Sequence, residues 1–134
     1  MTRATTRSTH PVDHIWALMA DVERWGELLP TVTSVRRLGG PDPTGVGSRF
    51  EVRQPGLPAA VYDVTVWRPL EGFTWVARSP GLVSTATHTV TAAEGGSVLD
   101  LRFEWSGLLA PLVRVLASRT AQRYLDTEAA TFAR

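Results

Sequence analysis

The stretch HPVDHIWALMADVERW, from His10 to Trp25, predicts the first helical segment of the chain. Pro11 suits the first position of a helix, because its missing N–H would have no partner there. Asp13 follows in the first turn, where a negative charge favours the helix dipole. Apolar side chains then recur at helical spacing up to Ala20, and a second short helix follows and ends before Pro30.

Strands are predicted on both sides of this helical segment. Residues 3–9 are rich in threonine and favour a first strand. After Pro30 the apolar period changes to two, and short turns rich in glycine and proline separate the apolar runs. Because the turns are short, neighbouring strands should pair as antiparallel hairpins. The predicted strands of this second part are 32–38, 49–53, 60–67, 73–78, 83–91 and 97–105.

The last segment, residues 108–134, has a helical pattern and completes the order of elements. A strand, two short helices, a run of strands and one long terminal helix indicate an α+β fold. A six- to seven-stranded antiparallel sheet has one face to bury, and only the terminal helix is long enough to cover it. No linker or repeat interrupts the chain, so we expect a single domain over residues 1–134.

Composition excludes several classes of function. The chain has no cysteine, which excludes disulfide scaffolds, thiolate metal sites and cysteine nucleophiles. All 14 basic residues are arginine, so lysine-dependent Schiff-base and P-loop chemistry are excluded too. A net charge of +1 is too small for a nucleic-acid footprint, and we expect no nucleic-acid partner. The longest apolar stretch, 108–117, is too short for a membrane span, and no signal-peptide core is seen near Met1, so we expect a cytoplasmic protein.

Residues 10–25, followed by Pro30, resemble the N-terminal signature of the START-like (SRPBCC) superfamily, and most of all its polyketide cyclase/dehydrase and lipid-transport branch. The segments VTVWRPLEGFTW (64–75) and GGSVLDL (95–101) are similar to the same pattern, so the resemblance covers essentially the whole chain. It implies a helix-grip fold, in which a curved sheet wraps around the C-terminal helix and leaves an apolar pocket between them. The superfamily includes carriers, receptors and cyclases, so the resemblance does not name a ligand.

Alternation along the strands predicts which side chains face such a pocket. His88 shares a strand face with two apolar neighbours, and the apolar residues from Leu99 to Trp105 share one face of the last strand. In strand 60–67 we expect Tyr62, Val64 and Val66 to point inward. The candidate ligand-binding residues are mostly apolar, as in small-molecule sites. They are Phe50, Tyr62, Trp75, His88, Phe103 and Trp105 on strands, and Leu112, Leu116, Thr120 and Tyr124 on the terminal helix.

The same side chains could instead fill the core completely. The interpretation as a binding pocket therefore predicts a cavity of roughly 300–1,000 Å³ between the sheet and the terminal helix. Access to it is expected through the turns 54–58 and 79–82. Burial should lower the pKa of His88 below its reference value of about 6.5. His10 and His14 have the spacing of two metal ligands on a helix, but no third ligand is evident, and we expect neither a metal nor a cofactor.

The sequence is compatible with three functions. The leading hypothesis is a non-catalytic binder of a small hydrophobic molecule, aromatic or polycyclic. The alternative is a polyketide aromatase/cyclase or dehydratase in which His88 or Tyr62 moves protons. The third is a protein-interaction domain, which a filled cavity and an exposed apolar patch would favour. The sequence predicts neither the ligand nor the oligomeric state.

Overall fold

Seven strands form one antiparallel sheet in which the first strand lies beside the last. The computed structural model describes all 134 residues. The sheet order is β1-β7-β6-β5-β4-β3-β2, so every neighbouring pair except β1 and β7 is consecutive in the chain. The strands are β1 (Thr2–Ser8), β2 (Ser34–Gly39), β3 (Arg49–Arg53), β4 (Ala60–Arg68), β5 (Gly72–Ser79), β6 (Leu82–Ala93) and β7 (Gly96–Ser106).

Three α-helices accompany the curved sheet. Helix α1 (Val12–Ala20) and α2 (Trp25–Leu28) follow β1 and are joined by a 3₁₀ turn at Val22–Arg24, and α3 (Ala110–Ala133) ends the chain. The predicted α+β helix-grip architecture, with two short helices after the first strand, is confirmed. None of the helices is both long and apolar enough to cross a bilayer.

The core lies between one face of the sheet and the helices. Alternate residues of most strands are buried there, as the period of two predicts. The side chains most completely removed from solvent come from α1, the strands and the end of α3, and include Ile15, Met19, Phe50, Phe73, Leu99, Leu101 and Phe132. The sequence-derived strand faces are therefore correct for β3, β5, β6 and β7.

Strand β4 departs from the predicted alternation. Its register against β5 shifts between Val64 and Val66, where one extra residue forms a bulge. A bulge moves every later side chain to the opposite face. Val66 is exposed, and Trp67 packs instead against Phe73, with ring centroids 5.2 Å apart. The prediction that Val66 points inward is wrong for this reason.

The first half of helix α3 does not turn its predicted leucines toward the sheet. Leu112 and Leu116 are 56% and 75% exposed, whereas Leu125 and Phe132 are buried. Leu116 precedes Leu125 by nine residues, which is two and a half helical turns, so the two side chains lie on opposite sides. Burial of the second half of α3 thus turns the leucines of its first half outward.

Candidate ligand-binding site

A cavity of about 100 Å³ lies between the sheet and the second half of α3. It is smaller than the pocket predicted from the sequence. Ala117 and Ala121 face it from the helix, and their small side chains leave the space that larger ones would fill. Of its 17 lining residues, 13 are hydrophobic: the full set is Trp25, Val32, Val52, Gln54, Leu57, Tyr62, Trp75, Ala86, His88, Phe103, Trp105, Ala117, Thr120, Ala121, Tyr124, Leu125 and Glu128.

The structure brings seven of the ten candidate residues to this cavity. They are Tyr62, Trp75, His88, Phe103, Trp105, Thr120 and Tyr124. The other three lie elsewhere. Phe50 is fully buried in the core, where its ring is 6.0 Å from that of Trp75. Leu112 and Leu116 face outward on α3, for the reason given above.

Three aromatic side chains form a continuous part of the wall. The Trp25 and Trp75 rings meet edge to face at 5.2 Å, and the Tyr62 ring stacks on Trp75 at 4.9 Å. Trp25 is nearly completely buried, and its Nε1 has no hydrogen-bond partner in the protein. A buried donor without a partner is uncommon, because it loses its hydrogen bonds to water without replacement.

His88 points into the cavity, as the strand alternation predicts. Its ring stacks on Phe73 at 4.4 Å, and Nδ1 has no hydrogen-bond partner. Burial lowers the pKa of His88 to about 4, although an interaction with the Phe73 backbone acts in the opposite direction. The expected direction of this shift is confirmed. At neutral pH the imidazole is therefore uncharged and is a weak base.

Glu128 is the one ionisable residue of the site that the sequence analysis missed; other lining residues that it missed include Trp25, Ala117 and Ala121. Glu128 enters the cavity from α3 and is buried, and Thr31 Oγ1 donates a hydrogen bond of 3.0 Å to its Oε2. Burial raises the pKa of the Glu128 carboxyl to about 7, against the opposing effect of the Thr31 hydrogen bond. Its position three residues after Leu125 and four before Phe132 is the helical spacing that could have placed it inward.

Tyr62 is influenced by the same carboxyl group. Burial, and second the nearby Glu128 carboxylate, raise the pKa of the Tyr62 hydroxyl to about 12. The hydroxyl stays protonated at neutral pH and can act only as a hydrogen-bond donor or acceptor.

The sequence matches one protein family over nearly its whole length. The family described as "Polyketide cyclase / dehydrase and lipid transport" matches residues 2–134. The chain belongs to this family. The START-like resemblance of the sequence is thereby confirmed. No curated protein matches the sequence.

Solved structures similar to this family member share its fold at low sequence identity. TTHA0849 from Thermus thermophilus is 16% identical with a TM-score of 0.74, over 98% of this chain and 93% of its own. A norcoclaurine synthase point mutant from Thalictrum flavum, in complex with a transition-state analogue, is 16% identical with a TM-score of 0.74, over 98% and 89%. The di-domain ARO/CYC StfQ of the steffimycin biosynthetic pathway is 16% identical with a TM-score of 0.70, over 98% of this chain and 50% of its own. At these identities the likeness shows the fold alone.

The β3–β4 connection lies at the edge of the cavity of this polyketide cyclase/dehydrase-family protein. Gln54 and Leu57 belong to the cavity lining, and the Tyr124 hydroxyl donates a hydrogen bond of 2.5 Å to the Pro55 carbonyl. The other predicted entry turn, 79–82, does not line the cavity. It is tied to the start of α3 instead, where the Leu109 N–H donates to the Gly81 carbonyl at 2.8 Å.

The two histidines with helical spacing form a stacked pair. The rings of His10 and His14 are 4.0 Å apart. No group of three or more histidine, aspartate or glutamate side chains that could hold a metal ion is present.

Proposed function

We propose that this protein binds a small hydrophobic molecule with an aromatic ring in the cavity between the sheet and α3. The observation that carries the proposal is a cavity with an apolar, aromatic wall that also contains a few polar side chains, among them His88 and Glu128. Sites for small molecules combine an apolar wall with a few polar groups that orient the ligand.

The size of the cavity favours a ligand with one ring. An engineered cavity of about 150 Å³ in another protein accepts benzene, and the cavity here is about 100 Å³, so even a one-ring ligand needs the wall to move outward. A polycyclic ligand would need the β3–β4 connection to move away from α3, which breaks the hydrogen bond between Tyr124 and Pro55.

His88 and Tyr62 are the two residues first considered for catalysis, and their pKa values favour a binding protein over an enzyme. Efficient proton transfer needs a group whose pKa is near the working pH. The pKa of His88 is about 4 and that of Tyr62 about 12, so neither group exchanges protons readily at neutral pH.

A polyketide aromatase/cyclase or dehydratase remains the second candidate, and Glu128 is the observation that favours it. Its pKa of about 7 suits a general acid or base. If the protein is such an enzyme, Glu128→Gln should lower turnover of a cyclisable substrate at least about a hundredfold. His88→Gln should leave turnover within a few fold. A large loss of turnover in His88→Gln, with little change in Glu128→Gln, would assign the catalytic role to His88.

An interaction domain receives less support. The exposed leucines of α3 do form an apolar surface, but the cavity beneath the helix is not filled. A protein that only receives a partner in a surface groove has no need of an internal space with an aromatic wall.

The proposed function is tested by ligand capture with a cavity-filling variant. Native mass spectrometry of freshly purified protein should show a bound small molecule, and added propylbenzene should change the fluorescence of the three tryptophans in the cavity wall. Ala121→Leu puts three more carbons into the cavity and should abolish both signals. Ala130→Leu, on the exposed side of the same helix, is the matched control and should abolish neither. Equal propylbenzene binding by wild type and Ala121→Leu would refute the assigned site.

A further inference from the structure

Glu128 is the only carboxyl group of the cavity lining. No arginine belongs to the lining, and the other titratable side chains around the cavity are Tyr62 on β4, His88 on β6 and Tyr124 on α3. His88 is uncharged at neutral pH because of its burial. An ionised Glu128 therefore faces no counter-charge in the protein.

The hydrogen bonds of Glu128 are also incomplete. Thr31 Oγ1 donates to Oε2, and no protein group donates to Oε1. Thr31 is itself held in place, because Gln54 Nε2 donates to its carbonyl oxygen at 3.3 Å. A carboxylate has about four acceptor sites, and burying the charge is unfavourable unless it is paired and hydrogen-bonded. The carboxyl group is thus fixed in position but leaves one oxygen without a partner.

The aromatic wall lies in the same cavity as the carboxyl group. Trp25, Tyr62 and Trp75 form connected ring contacts of 5.2 and 4.9 Å and share the cavity with Glu128. Aromatic side chains pack favourably against another ring. The cavity therefore offers a contact for a ligand ring and a carboxyl group for a ligand charge.

We propose that the ligand of this cavity is an arylalkylamine, whose protonated amine pairs with Glu128 while its ring packs among Trp25, Tyr62 and Trp75. This inference rests on the proposed function and narrows it to a cationic class of aromatic ligand. A ligand ammonium would supply the missing donor to Oε1 and the missing counter-charge in one contact.

A series of three probes with similar shape tests the charge preference in the wild-type protein. The probes are 2-phenylethylamine (cationic), propylbenzene (neutral) and 3-phenylpropionate (anionic), titrated by tryptophan fluorescence and isothermal calorimetry at pH 8. We expect the amine to bind at least tenfold more tightly than propylbenzene, and the anion to bind most weakly. Equal affinity of amine and neutral probe, or preference for the anion, would overturn the inference.

The pH dependence of the same titrations identifies the group responsible. Because the Glu128 carboxyl must ionise to pair with the amine, amine affinity should fall at least tenfold from pH 8 to pH 5.5, where Glu128 is mostly protonated. Propylbenzene affinity should change less than threefold, since His88 remains neutral over this range. An amine affinity that does not change with pH would exclude Glu128 as its partner.

A matched pair of variants separates this inference from the proposed function. Glu128→Gln should lower amine affinity at least tenfold and leave propylbenzene affinity within about threefold. Asp126→Asn removes an exposed carboxylate from the same helix and should change neither. If Glu128→Gln lowers both affinities equally, the amine contact is refuted and the aromatic site stands. If no probe binds the wild type at any pH, the proposed function itself fails. The wild-type pH series decides the case even if the variant does not fold.

Discussion

Two buried ionisable side chains of the cavity wall shift in opposite directions, and their effects on stability oppose each other. The pKa of His88 falls from 6.5 to about 4, so stability is lost as the pH falls through this range. The pKa of Glu128 rises from 4.5 to about 7, so stability is lost as the pH rises through that range. Between pH 4.5 and 6.5 the folded state holds one proton on Glu128 and the unfolded state holds one on His88, so the two contributions cancel.

A variant that lacks one of the two groups should show the pH dependence of stability that the other group contributes. In Glu128→Gln the histidine contribution is unopposed by Glu128, and the free energy of unfolding should rise from pH 4.5 to 6.5 by up to about 1.4 kcal/mol per pH unit. In His88→Gln only the carboxyl contributes, and the free energy should fall by about the same slope. Urea unfolding at half-unit pH steps measures both. Parallel profiles for the two variants would contradict the opposed shifts.

At the scale of elements, α3 consists of two halves with different surroundings. The second half carries the buried Leu125, Ala129 and Phe132, whereas the first half exposes Leu112 and Leu116 to solvent. The helix is nevertheless continuous from Ala110 to Ala133. The second half has the larger side chains in the core, so it decides how α3 is rotated about its own axis. The orientation of the first half is then fixed, because the helix is continuous.

Two identical substitutions on α3 should have different effects because of this rotation. Leu125→Ala removes a buried side chain and should lower the free energy of unfolding by about 2 kcal/mol or more. Leu116→Ala removes an exposed one and should change it by less than about 0.5 kcal/mol. Chemical denaturation of both variants at neutral pH makes the comparison. A larger loss for Leu116→Ala would mean that this face of the helix is covered.

The β3–β4 connection is the element that we expect to control access to the cavity. Its contact with α3 includes the hydrogen bond from the Tyr124 hydroxyl to Pro55, and Leu57 belongs to the lining. Loops open more readily than paired strands. Tyr124→Phe should therefore speed both association and dissociation of propylbenzene in stopped-flow fluorescence. Hydrogen exchange should slow in residues 54–58 when the ligand is bound. Protection confined to the 79–82 turn would assign the entrance there instead.

At the scale of the whole molecule, the two ends of the chain close the fold together. Strand β1 pairs with β7 and contacts α3, where Gln122 Nε2 donates to the Arg3 carbonyl and Ser8 Oγ donates to the Ala133 carbonyl. Asp100 on β7 accepts hydrogen bonds from Arg3 and Arg102. Burial alone would raise the pKa of Asp100, but these arginines outweigh it and hold the pKa below its usual value.

Asp100→Asn should therefore lower the free energy of unfolding, by an amount that depends on pH. A lowered pKa contributes stability above the unfolded value, and that stability is lost as the pH falls through the folded value. The arginine partners are about half exposed, so the loss at pH 7 should be under about 1 kcal/mol. The difference from wild type should shrink below pH 4 in urea unfolding experiments. A difference that stays constant down to pH 3 would show that the ion pairs are not its cause.

Local sequence patterns were sufficient for the elements, their order and most strand faces. Short turns allow only hairpin neighbours, and a period of two carries His88, Trp75 and Phe103 to the same side as their apolar neighbours, so these residues could be predicted to face α3. The β4 bulge could not be predicted, because one inserted residue reverses the face of Val66 and Trp67 without changing the composition of the strand.

The remaining features of the site depend on contacts between distant parts of the chain. The terminal helix has outward leucines as well as inward ones, and only packing of Leu125 and Phe132 in the core selects its rotation. The pairing of Glu128 with Thr31 joins residues 97 positions apart. The cavity itself exists because small side chains of α3 meet large aromatic ones from the sheet and α2. A local pattern can place a side chain on a face, but the volume left between two faces is a property of the assembled structure.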